Sequence, residues 1–517
     1  MSTGDTSTPF ETDEWQAVGV TTRPNVLFIT LDQFRGDALS CAGHFLVRTP
    51  NLDDLANSGV RFARHYTQST PCAPGRAGLY TGLYQMNHRV VANGTPLDDR
   101  FDNVARLAQR SGYQGLLFGY TDQSVDPRIT FGADDPRLQT YEGLLPGFEW
   151  KLNLTGPHQP WLDFLAQLGY DTSVGHMQLL DTEHERPVEH SVSSFTTDHI
   201  VQWLREQNNE TSEPWFIHAS YLRPHPPYSA PGHFAKMYDP ADVGQPIPPS
   251  SDRHTFHDLL LTLDGIGAPK TEDDMNHLRA QYFGMISAID QQMGRLWAAL
   301  KELGQWENTV VIVTADHGEQ LGDHGLQQKV GWFEESHHIP LLIRNPNQSV
   351  AHGTTVEHFT ESVDILPTLA DVWNQPVPLQ CDGLSLSGFL SGRPPAIWRE
   401  AASWEFDWRY ALIPFVQNQF PWDGRLDESH LAVHRTIDTA YVQFGDGSYL
   451  CFDIAADPTW RTKVVDPERI LQMAQRMLVW RSRHADHLLT GLLVHDGGIG
   501  QWPPGIPWQE SNQGAIS

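Results

Sequence analysis

The strongest pattern along the chain is a pair of short, uninterrupted apolar runs that each end abruptly at polar residues. Residues 25–31 read NVLFITL and end at Asp32, and residues 309–315 read TVVIVTA and end at Asp316. Such runs are typical of strands buried on both faces of an open α/β sheet, where the carboxyl ends of the strands border the functional site. Each aspartate taken singly could merely cap a turn, but the repeated arrangement favours one shared site.

Other apolar runs and helical patterns alternate with these two. Further strands are predicted at residues 114–119, 214–221 and 339–343. The clearest helix spans about residues 275–303, where apolar residues recur at a period of 3.6. Asp290 on this helix is expected to be a capping or surface group rather than a catalytic one. The alternation of strands and helices predicts an α/β domain.

The pattern changes near residue 400, after a stretch rich in proline and glycine at residues 376–395. Shorter strand patterns then flank a turn at Asp446 and Gly447, and a helix is predicted from about residue 467 to residue 483. The tail that follows is compatible with packing on a neighbouring subunit and equally with disorder. We therefore predict four segments: a polar N-terminal segment at 1–21, a catalytic domain at 22–395, a smaller α+β subdomain at 396–489 and the tail at 490–517.

Composition narrows the class of protein. The 517 residues include 63 acidic and 35 basic side chains, a formal charge of −28 that disfavours nucleic acid as a partner. Residues 1–20 lack the basic start and apolar core of a signal peptide, and no apolar run is long enough to span a membrane. We therefore expect a cytoplasmic protein without a membrane partner. The four cysteines are too sparse for a disulfide framework or a thiolate zinc cluster.

One cysteine lies in a pattern that suggests chemistry. Cys72 stands two residues before Pro74, and the following sequence suits a helix with proline in its first turn. A nucleophile at that position would lie at the positive end of the helix dipole with Arg76 within one turn, an arrangement that suits an anionic substrate. A lone cysteine at a helix start is more often only a small buried residue, so the interpretation depends on the neighbouring motifs.

With those motifs, the chain resembles the sulfatase family of the alkaline phosphatase superfamily, in which the equivalent cysteine is oxidised to formylglycine. The resemblance extends over most of the chain. It rests on seven segments: Cys72–Arg76 with Thr81–Leu83, Asp32–Gln33, Arg48–Asp53, Gly119–Thr121, Arg223–Pro227, Thr314–Glu319 and Glu361–Thr368. This resemblance implies a central, mostly parallel sheet flanked by helices, as in alkaline phosphatase, with a smaller C-terminal α+β subdomain.

Several details resemble the phosphonate monoester hydrolase and phosphodiesterase branch more than ordinary arylsulfatases. Gln33 follows Asp32 where typical sulfatases carry a second aspartate, and the segment after Gly119 contains neither lysine nor histidine. Four other segments are similar to that branch: Met86–Arg89 with Asn93, Trp404–Asp407, His484–Asp486 and Leu489–Gly491.

The resemblance also implies a set of site residues. A divalent ion, Mn²⁺ as first choice and Ca²⁺ as second, suits oxygen donors with one imidazole. Its ligands would be Asp32, Gln33, modified Cys72, Asp316 and His317. Arg76 and Lys329 would neutralise the substrate's oxygens, while Asn93, Tyr120 and His225 would supply further hydrogen bonds. Alone, Lys329 would be read as a surface residue and His225 as a loop histidine without function.

Two proton-transfer roles follow from the mechanism that the family uses. The hydrated aldehyde would attack phosphorus or sulfur, and His225 is the candidate acid for the leaving oxygen. Asp122 stands where ordinary sulfatases carry histidine and phosphonate hydrolases carry threonine, and we hypothesise that it takes the proton of the second hydroxyl. The alternative for Asp122 is an Asx turn. His88, His337 and His338 are expected to be structural.

The sequence thus predicts a hydrolase of phosphonate monoesters and phosphodiesters that is promiscuous toward sulfate esters. One alternative is a dedicated arylsulfatase or alkyl sulfatase, and another is a metal-binding protein in which Cys72 stays a thiol. The expected partners are a small anionic ester, a formylglycine-generating enzyme for maturation and further copies of the chain in a dimer or tetramer.

Overall fold

The computed structural model describes residues 23–207, 213–411, 426–486, 490, 492–495 and 498–501. The N-terminal segment 1–21 and most of the tail lie outside these ranges, so the predictions for them stay predictions, as do the domain boundaries. The strands are β1 Asn25–Leu31, β2 Val60–Tyr66, β3 Gly115–Gly119, β4 Phe148–Asn153, β5 Phe216–Tyr221, β6 Thr309–Thr314, β7 Leu341–Arg344, β8 Thr354–Glu361, β9 Ala401–Asp407, β10 His430–Thr436, β11 Thr439–Phe444, β12 Tyr449–Asp453, β13 Leu492–His495 and β14 Gly498–Gln501.

An eight-stranded sheet forms the centre of the protein, in the order β4-β3-β5-β1-β6-β7-β2-β8. Only β7 runs antiparallel to its neighbours; the other pairs are parallel. The mostly parallel α/β sheet expected from the sequence is therefore confirmed. In the centre β1 pairs with β6 in a register that sets Thr30 opposite Thr314, so the residues after the two strands emerge side by side.

The predicted strands are confirmed, with starts one or two residues later at β3, β5 and β7. Residues 339–343 were expected to form one strand, but β7 begins only at Leu341. Pro340 explains the later start, because proline has no N–H to give to a neighbouring strand.

The helices are α1 Pro50–Asn57, α2 Cys72–Thr81, α3 Gln85–His88, α4 Val104–Arg110, α5 Gln159–Gln167, α6 His176–Asp181, α7 Val192–Gln207, α8 Thr255–Thr262, α9 Glu272–Glu302, α10 Glu334–His337, α11 Ile365–Val372, α12 Ser387–Leu390, α13 Trp408–Ala411 and α14 Pro467–His484. They cover both faces of the central sheet. In β1, Leu27 and Ile29 belong to the core that contains α7 and α9, whereas Val26 and Phe28 belong to the core that contains α4 and α11. This explains why apolar residues occur at consecutive positions of the strand and not only at alternate ones.

The long helix α9 confirms the predicted helix at residues 275–303, with both ends slightly earlier in the chain. Asp290 is a buried capping group rather than a surface one. Its carboxylate accepts hydrogen bonds from the backbone N–H of Asn51 and Leu52, at 3.2 and 2.8 Å, in the first turn of α1. Burial raises the pKa of Asp290 to about 6.

The C-terminal part of the chain forms a separate antiparallel sheet in the order β12-β11-β10-β9. The predicted turn at Asp446 and Gly447 joins β11 to β12, and the predicted helix is α14. This sheet contacts the segment before α2, because the Glu405 N–H donates to the Gln68 carbonyl at 2.9 Å. Among the described helices there is none with the length and apolarity needed to cross a membrane.

Candidate active site

The polar residues after β1 and β6 meet at the carboxyl edge of the sheet, as the two sequence patterns predicted. Asp316 links the two strand ends, because its Oδ1 accepts from the backbone N–H of Gln33 at 3.2 Å and of His317 at 3.0 Å. Both Asp32 and Asp316 are at most 1% exposed. Gln33 has a φ of 68°, a sharp turn that directs the chain away from the sheet after the aspartate.

Helix α2 brings Cys72 to the same edge. Cys72 is its first residue, and Sγ lies 3.2 Å from Nε2 of His317. The first turn of α2 packs directly on the end of β6: a Cβ added at Gly75 would lie 2.6 Å from the Asp316 carbonyl oxygen. Glycine at this position therefore allows the nucleophile candidate to reach the acidic edge.

Asp32, Cys72, Asp316 and His317 form a cluster whose potential ligand atoms all lie within 4.8 Å of one another. Their chemistry fits a divalent cation. His317 Nδ1 lies 3.0 Å from the Gly318 carbonyl, a contact that leaves Nε2 with a free lone pair toward the cluster. Asp32 Oδ1 is buried and has no hydrogen-bond partner among the described residues, as expected of an oxygen that would face an ion.

Gln33, the fifth predicted ligand, lies beside this cluster with its amide held at both ends. Its Oε1 accepts from Lys329 Nζ at 2.7 Å, and its Nε2 donates to Glu319. Glu319 also accepts from the Tyr228 hydroxyl at 2.8 Å and from the Gln328 N–H at 2.6 Å. The buried Glu319 carboxylate thus fixes which end of the Gln33 amide faces Lys329. Sequence reasoning assigned no role to Glu319, although it follows the His317 motif directly.

Arg76 is fully buried and joins the two strand-end carboxylates. Its Nε donates to Asp316 at 2.8 Å and its Nη2 to Asp32 at 3.0 Å, while Nη1 donates to the Ser220 hydroxyl at 2.9 Å. Tyr120 adds a second donor to Asp32, at 2.7 Å, and its ring lies under the guanidinium. Arg76 and Tyr120 were expected to contact substrate; in the structure both hold the aspartates.

The electrostatics of this cluster favour a cation. Burial raises the pKa of Asp316 to about 7, and the nearby Asp32 charge adds to the effect. Burial opposes ionisation of Asp32 as well, but the nearby His225 and Arg76 lower its pKa, so Asp32 has the lower pKa of the two carboxyls. A divalent cation would favour the ionised form of both. Burial also lowers the pKa of His317 to about 3, which keeps its imidazole neutral and able to bind a metal.

The same environment makes Cys72 a poor thiolate. Burial raises its pKa well above the usual range for a thiol, and the charge of Asp32 adds to the effect. Cys72 is therefore protonated at neutral pH, whereas a reactive cysteine needs a lowered pKa. The unmodified side chain does not have the properties of a nucleophile at this position.

The buried Lys329 and the half-buried His225 form a pair on the other side of Gln33. Nζ of Lys329 lies 2.9 Å from Nε2 of His225, and Nδ1 of His225 lies 2.8 Å from the Pro226 carbonyl. The carbonyl can only accept, so Nδ1 carries the proton and Nε2 accepts from the lysine. Burial, followed by the Lys329 charge, lowers the pKa of His225 to about 3. Neither residue is the free surface or loop residue that its sequence alone would suggest.

Asp122 lies at the cluster with a φ of 54° and is 6% exposed. Its Oδ2 is 3.9 Å from Nε of Arg76. Among the described residues its carboxylate accepts no hydrogen bond, so the contacts of an Asx turn are absent there. Burial raises the pKa of Asp122 to about 7, with Asp32 and Glu142 adding to it and Arg76 opposing it.

Two side-chain amides fix the backbone next to Cys72. Asn93 Oδ1 accepts from the Ala73 N–H at 3.0 Å, and Gln123 Nε2 donates to the Ala73 carbonyl, also at 3.0 Å. Asn93 was expected to contact substrate, and Gln123 was not foreseen. Tyr141 was also missed: its carbonyl accepts from the Ser124 hydroxyl, and its pKa is raised by burial and by charges that include Asp122.

The three histidines expected to be structural make contacts with backbone outside the cluster. His88 Nδ1 accepts from the Val90 N–H, His337 Nδ1 contacts the Phe333 carbonyl, and His338 Nε2 contacts the Ala63 carbonyl.

Comparison with known proteins agrees with this geometry. The family model described as Sulfatase matches residues 24–374, and the model described as N-sulphoglucosamine sulphohydrolase, C-terminal, matches residues 322–478. The multifunctional alkaline phosphatase superfamily protein PehA of Trinickia caryophylli is 35% identical over 512 residues, which cover 91% of this chain and 97% of that protein.

Two solved structures are similar over nearly their whole length. The phosphonate monoester hydrolase of Agrobacterium radiobacter has 38% identity and a TM-score of 0.85, with 93% of this chain and 100% of that chain covered. The phosphonate monoester hydrolase SpPMH from Silicibacter pomeroyi has 34% identity and a TM-score of 0.82, with 92% and 99% covered. The resemblance stated from the motifs is thereby confirmed.

Proposed function

This chain belongs to the sulfatase family of hydrolases, and from that membership we propose that it cleaves phosphonate monoesters and phosphodiesters, with sulfate esters as secondary substrates. The observation that carries the proposal is the buried cluster of Asp32, Cys72, Asp316 and His317 beside the Lys329–His225 pair. The similarity to two phosphonate monoester hydrolases supports the choice of ester.

The proposal includes a divalent ion and a modified Cys72. Asp32, Asp316 and His317 would hold the ion, with Gln33 through its amide oxygen and residue 72 through an oxygen that replaces Sγ. The donor set suits Mn²⁺ first and Ca²⁺ second. The ion would supply Lewis-acid stabilisation of negative charge, and a hydrated formylglycine made from Cys72 would supply the hydroxyl nucleophile. The raised pKa of the Cys72 thiol supports this requirement for modification.

The remaining residues then have distinct tasks. Arg76 holds the carboxylates of Asp32 and Asp316 in one orientation and balances part of their charge. Asp122, with a pKa near neutrality, can take a proton from residue 72 and return it.

The hydrogen bonds of the Lys329–His225 pair indicate which of the two side chains can donate a proton to the leaving oxygen. Nε2 of His225 has no proton to give while it accepts from Lys329, so the ammonium is the nearer donor. We therefore propose that Lys329 supplies the hydrogen bond or proton and that His225 orients Lys329. In this proposal the acid role first expected of His225 passes to Lys329.

Mass spectrometry of the peptide that contains Cys72, from protein made in its native host, tests the modification. An aldehyde is expected, and a wholly thiol peptide would favour the alternative of a non-catalytic metal-binding protein. Parallel kinetics on an aryl phosphonate monoester, a phosphodiester and an aryl sulfate, each with added Mn²⁺, test the substrate class. A higher kcat/KM for the sulfate than for both phosphorus esters would favour the alternative of a dedicated sulfatase.

A further inference from the structure

The segment that carries His225 contains a second charged residue, Arg223, to which the proposed mechanism gives no task. Arg223 is 2% exposed and forms an ion pair with Glu183, which is fully buried. Nε and Nη2 of Arg223 donate to Oε2 of Glu183 at 2.9 and 2.6 Å. Nη2 of Arg223 also donates to the Leu180 carbonyl, at 2.9 Å.

The other side of the Arg223 guanidinium faces the loop itself. Nη1 donates to the carbonyl of His225 at 2.7 Å and to the carbonyl of Pro227 at 2.6 Å. These two carbonyls flank Pro226, whose own carbonyl contacts the His225 ring at 2.8 Å. The planar guanidinium of Arg223 therefore holds the backbone whose Pro226 carbonyl contacts the imidazole of His225.

Glu183 links Arg223, and with it the His225 loop, to helix α7. Its Oε1 accepts from the N–H of Val192, the first residue of α7, at 2.8 Å, and α7 packs against α9 over the central sheet. A neighbouring contact acts in parallel, because the His184 N–H donates to the Ser229 hydroxyl at 3.0 Å. The His225 loop is thus anchored to a helix of the core through the Arg223–Glu183 pair.

Stability alone gives a weak reason for this pair. Removing two charges from water costs several kcal/mol for each ion, and apolar residues of similar volume are often at least as stabilising. What an apolar pair would lack is the geometry of the guanidinium, whose fixed donors reach one carboxylate and three carbonyls, those of Leu180, His225 and Pro227. A lysine in this place would retain the charge and lose most of those contacts.

We propose that Arg223 and Glu183 are positioning residues that set where His225 meets Lys329 and thereby assist departure of the leaving group; this rests on the proposed function. Nε2 of His225 lies 2.9 Å from Nζ of Lys329, so a shift of the loop by about 1 Å would break that contact. Misplacement of a catalytic group by that amount can lower a rate by about 10²-fold.

The first test measures kcat/KM for wild type, Arg223→Lys and Glu183→Gln with a series of aryl phosphonate monoesters whose phenols differ in acidity, with Mn²⁺ present. Good leaving groups need little help from a proton donor, so 4-nitrophenol esters should lose only about 3-fold. Esters of the least acidic phenols should lose about 10²-fold, which steepens the dependence of rate on leaving-group pKa. A merely structural role would lower all esters by the same factor, and that outcome would overturn the proposal.

The second test does not depend on activity. Crystal structures of wild type and Glu183→Gln would compare the distance between His225 Nε2 and Lys329 Nζ, which is expected to exceed hydrogen-bonding range in the variant. An unchanged distance would overturn the positioning role. If the wild type hydrolysed none of the esters, the proposed function would fail while this structural comparison still decided the role of the pair.

Arg344→Lys provides a matched control. Arg344 is also a buried arginine, 4% exposed, that donates to a backbone carbonyl, that of Trp306, at 2.8 Å and to a glutamate, Glu307, at 2.8 Å. It lies on β7 and makes none of the contacts to the His225 loop. Its variant should share any loss of thermal stability that follows from a weakened buried arginine while retaining the wild-type dependence on the leaving group.

Discussion

Replacement of Asp122 by asparagine tests the proposed proton acceptor for the second hydroxyl of residue 72. The substitution keeps the size and shape of the side chain and removes its ability to hold a negative charge. Asp122 is 6% exposed, and its Oδ2 lies 3.9 Å from Arg76, within the cluster that surrounds Cys72. If Asp122 takes the proton that allows the covalent product to break down, the variant should still form the phosphonyl or phosphoryl ester of residue 72 but turn over slowly.

The size of the effect follows from the pKa. Burial raises the pKa of Asp122 to about 7, so near neutral pH about half of the side chains are ionised. A base with a pKa near the working pH contributes between about 10² and 10⁴ in rate. We therefore expect turnover to fall by at least about 10²-fold, equivalent to about 2.7 kcal/mol of barrier. The wild-type rate should rise with pH through about 7 as Asp122 loses its proton, and this limb should disappear in the variant.

The assay is stopped-flow release of 4-nitrophenol from an aryl phosphonate monoester, which separates the initial burst from the steady rate. The burst should be retained and the steady rate reduced in Asp122→Asn. Asp126→Asn is the matched control, because Asp126 lies on the same loop and accepts from the Arg128 N–H at 2.9 Å, outside the cluster. A steady rate and an acid limb equal to those of wild type in Asp122→Asn would refute the reasoning.

Four further predictions concern the metal, the pH dependence of stability, Arg76 and Glu334. Chelation of divalent ions should abolish turnover, and it should lower Tm more at pH 8 than at pH 5. The raised pKa of Asp316, about 7, means that in acid a proton neutralises this carboxylate when the ion is removed. An equal loss of Tm at both pH values would contradict this. In the metal-free protein, the free energy of unfolding should decline as pH rises from about 4 to about 7, because the folded state binds the Asp316 proton more tightly than the unfolded state does. Urea unfolding at several pH values measures whether the free energy falls or rises over this range. Arg76→Lys should weaken Mn²⁺ binding by at least about 10-fold in calorimetry, because one guanidinium orients both Asp32 and Asp316. Glu334→Gln should lower the free energy of unfolding by about 1 to 3 kcal/mol, because both carboxylate oxygens accept hydrogen bonds and an amide has only one accepting oxygen. One oxygen accepts from the Tyr66 hydroxyl, and the other accepts from Trp460 Nε1 at 3.2 Å and from Arg435 Nε at 3.3 Å. An unchanged urea midpoint would argue against the importance of these contacts.

The sequence alone predicted the features that leave a continuous pattern of apolar residues along the chain. The runs at residues 25–31 and 309–315 have apolar residues at consecutive positions because both faces of the central strands are covered, so their ends could be placed without a structure. The long helix α9 was visible for the same reason, as a continuous 3.6-residue period. Gln33, Asn93, Tyr120, Lys329 and His225 were candidates only through the resemblance to a family, because single polar residues in loops have no distinguishing pattern.

What only the tertiary structure decided is how those polar groups are paired. Arg76 faces two carboxylates separated from it by 44 and 240 residues, and Glu183 reaches Arg223 across 40 residues. The sequence contains the charges of these groups but no periodicity that links them, because a buried ion pair or a side-chain amide on a backbone group requires only proximity in space. The sequence thus determined the sheet, the helix that begins at Cys72 and the strand ends that form the site. Packing determined the raised pKa of Asp122, the proton arrangement of His225 and Lys329, and the pair that holds them.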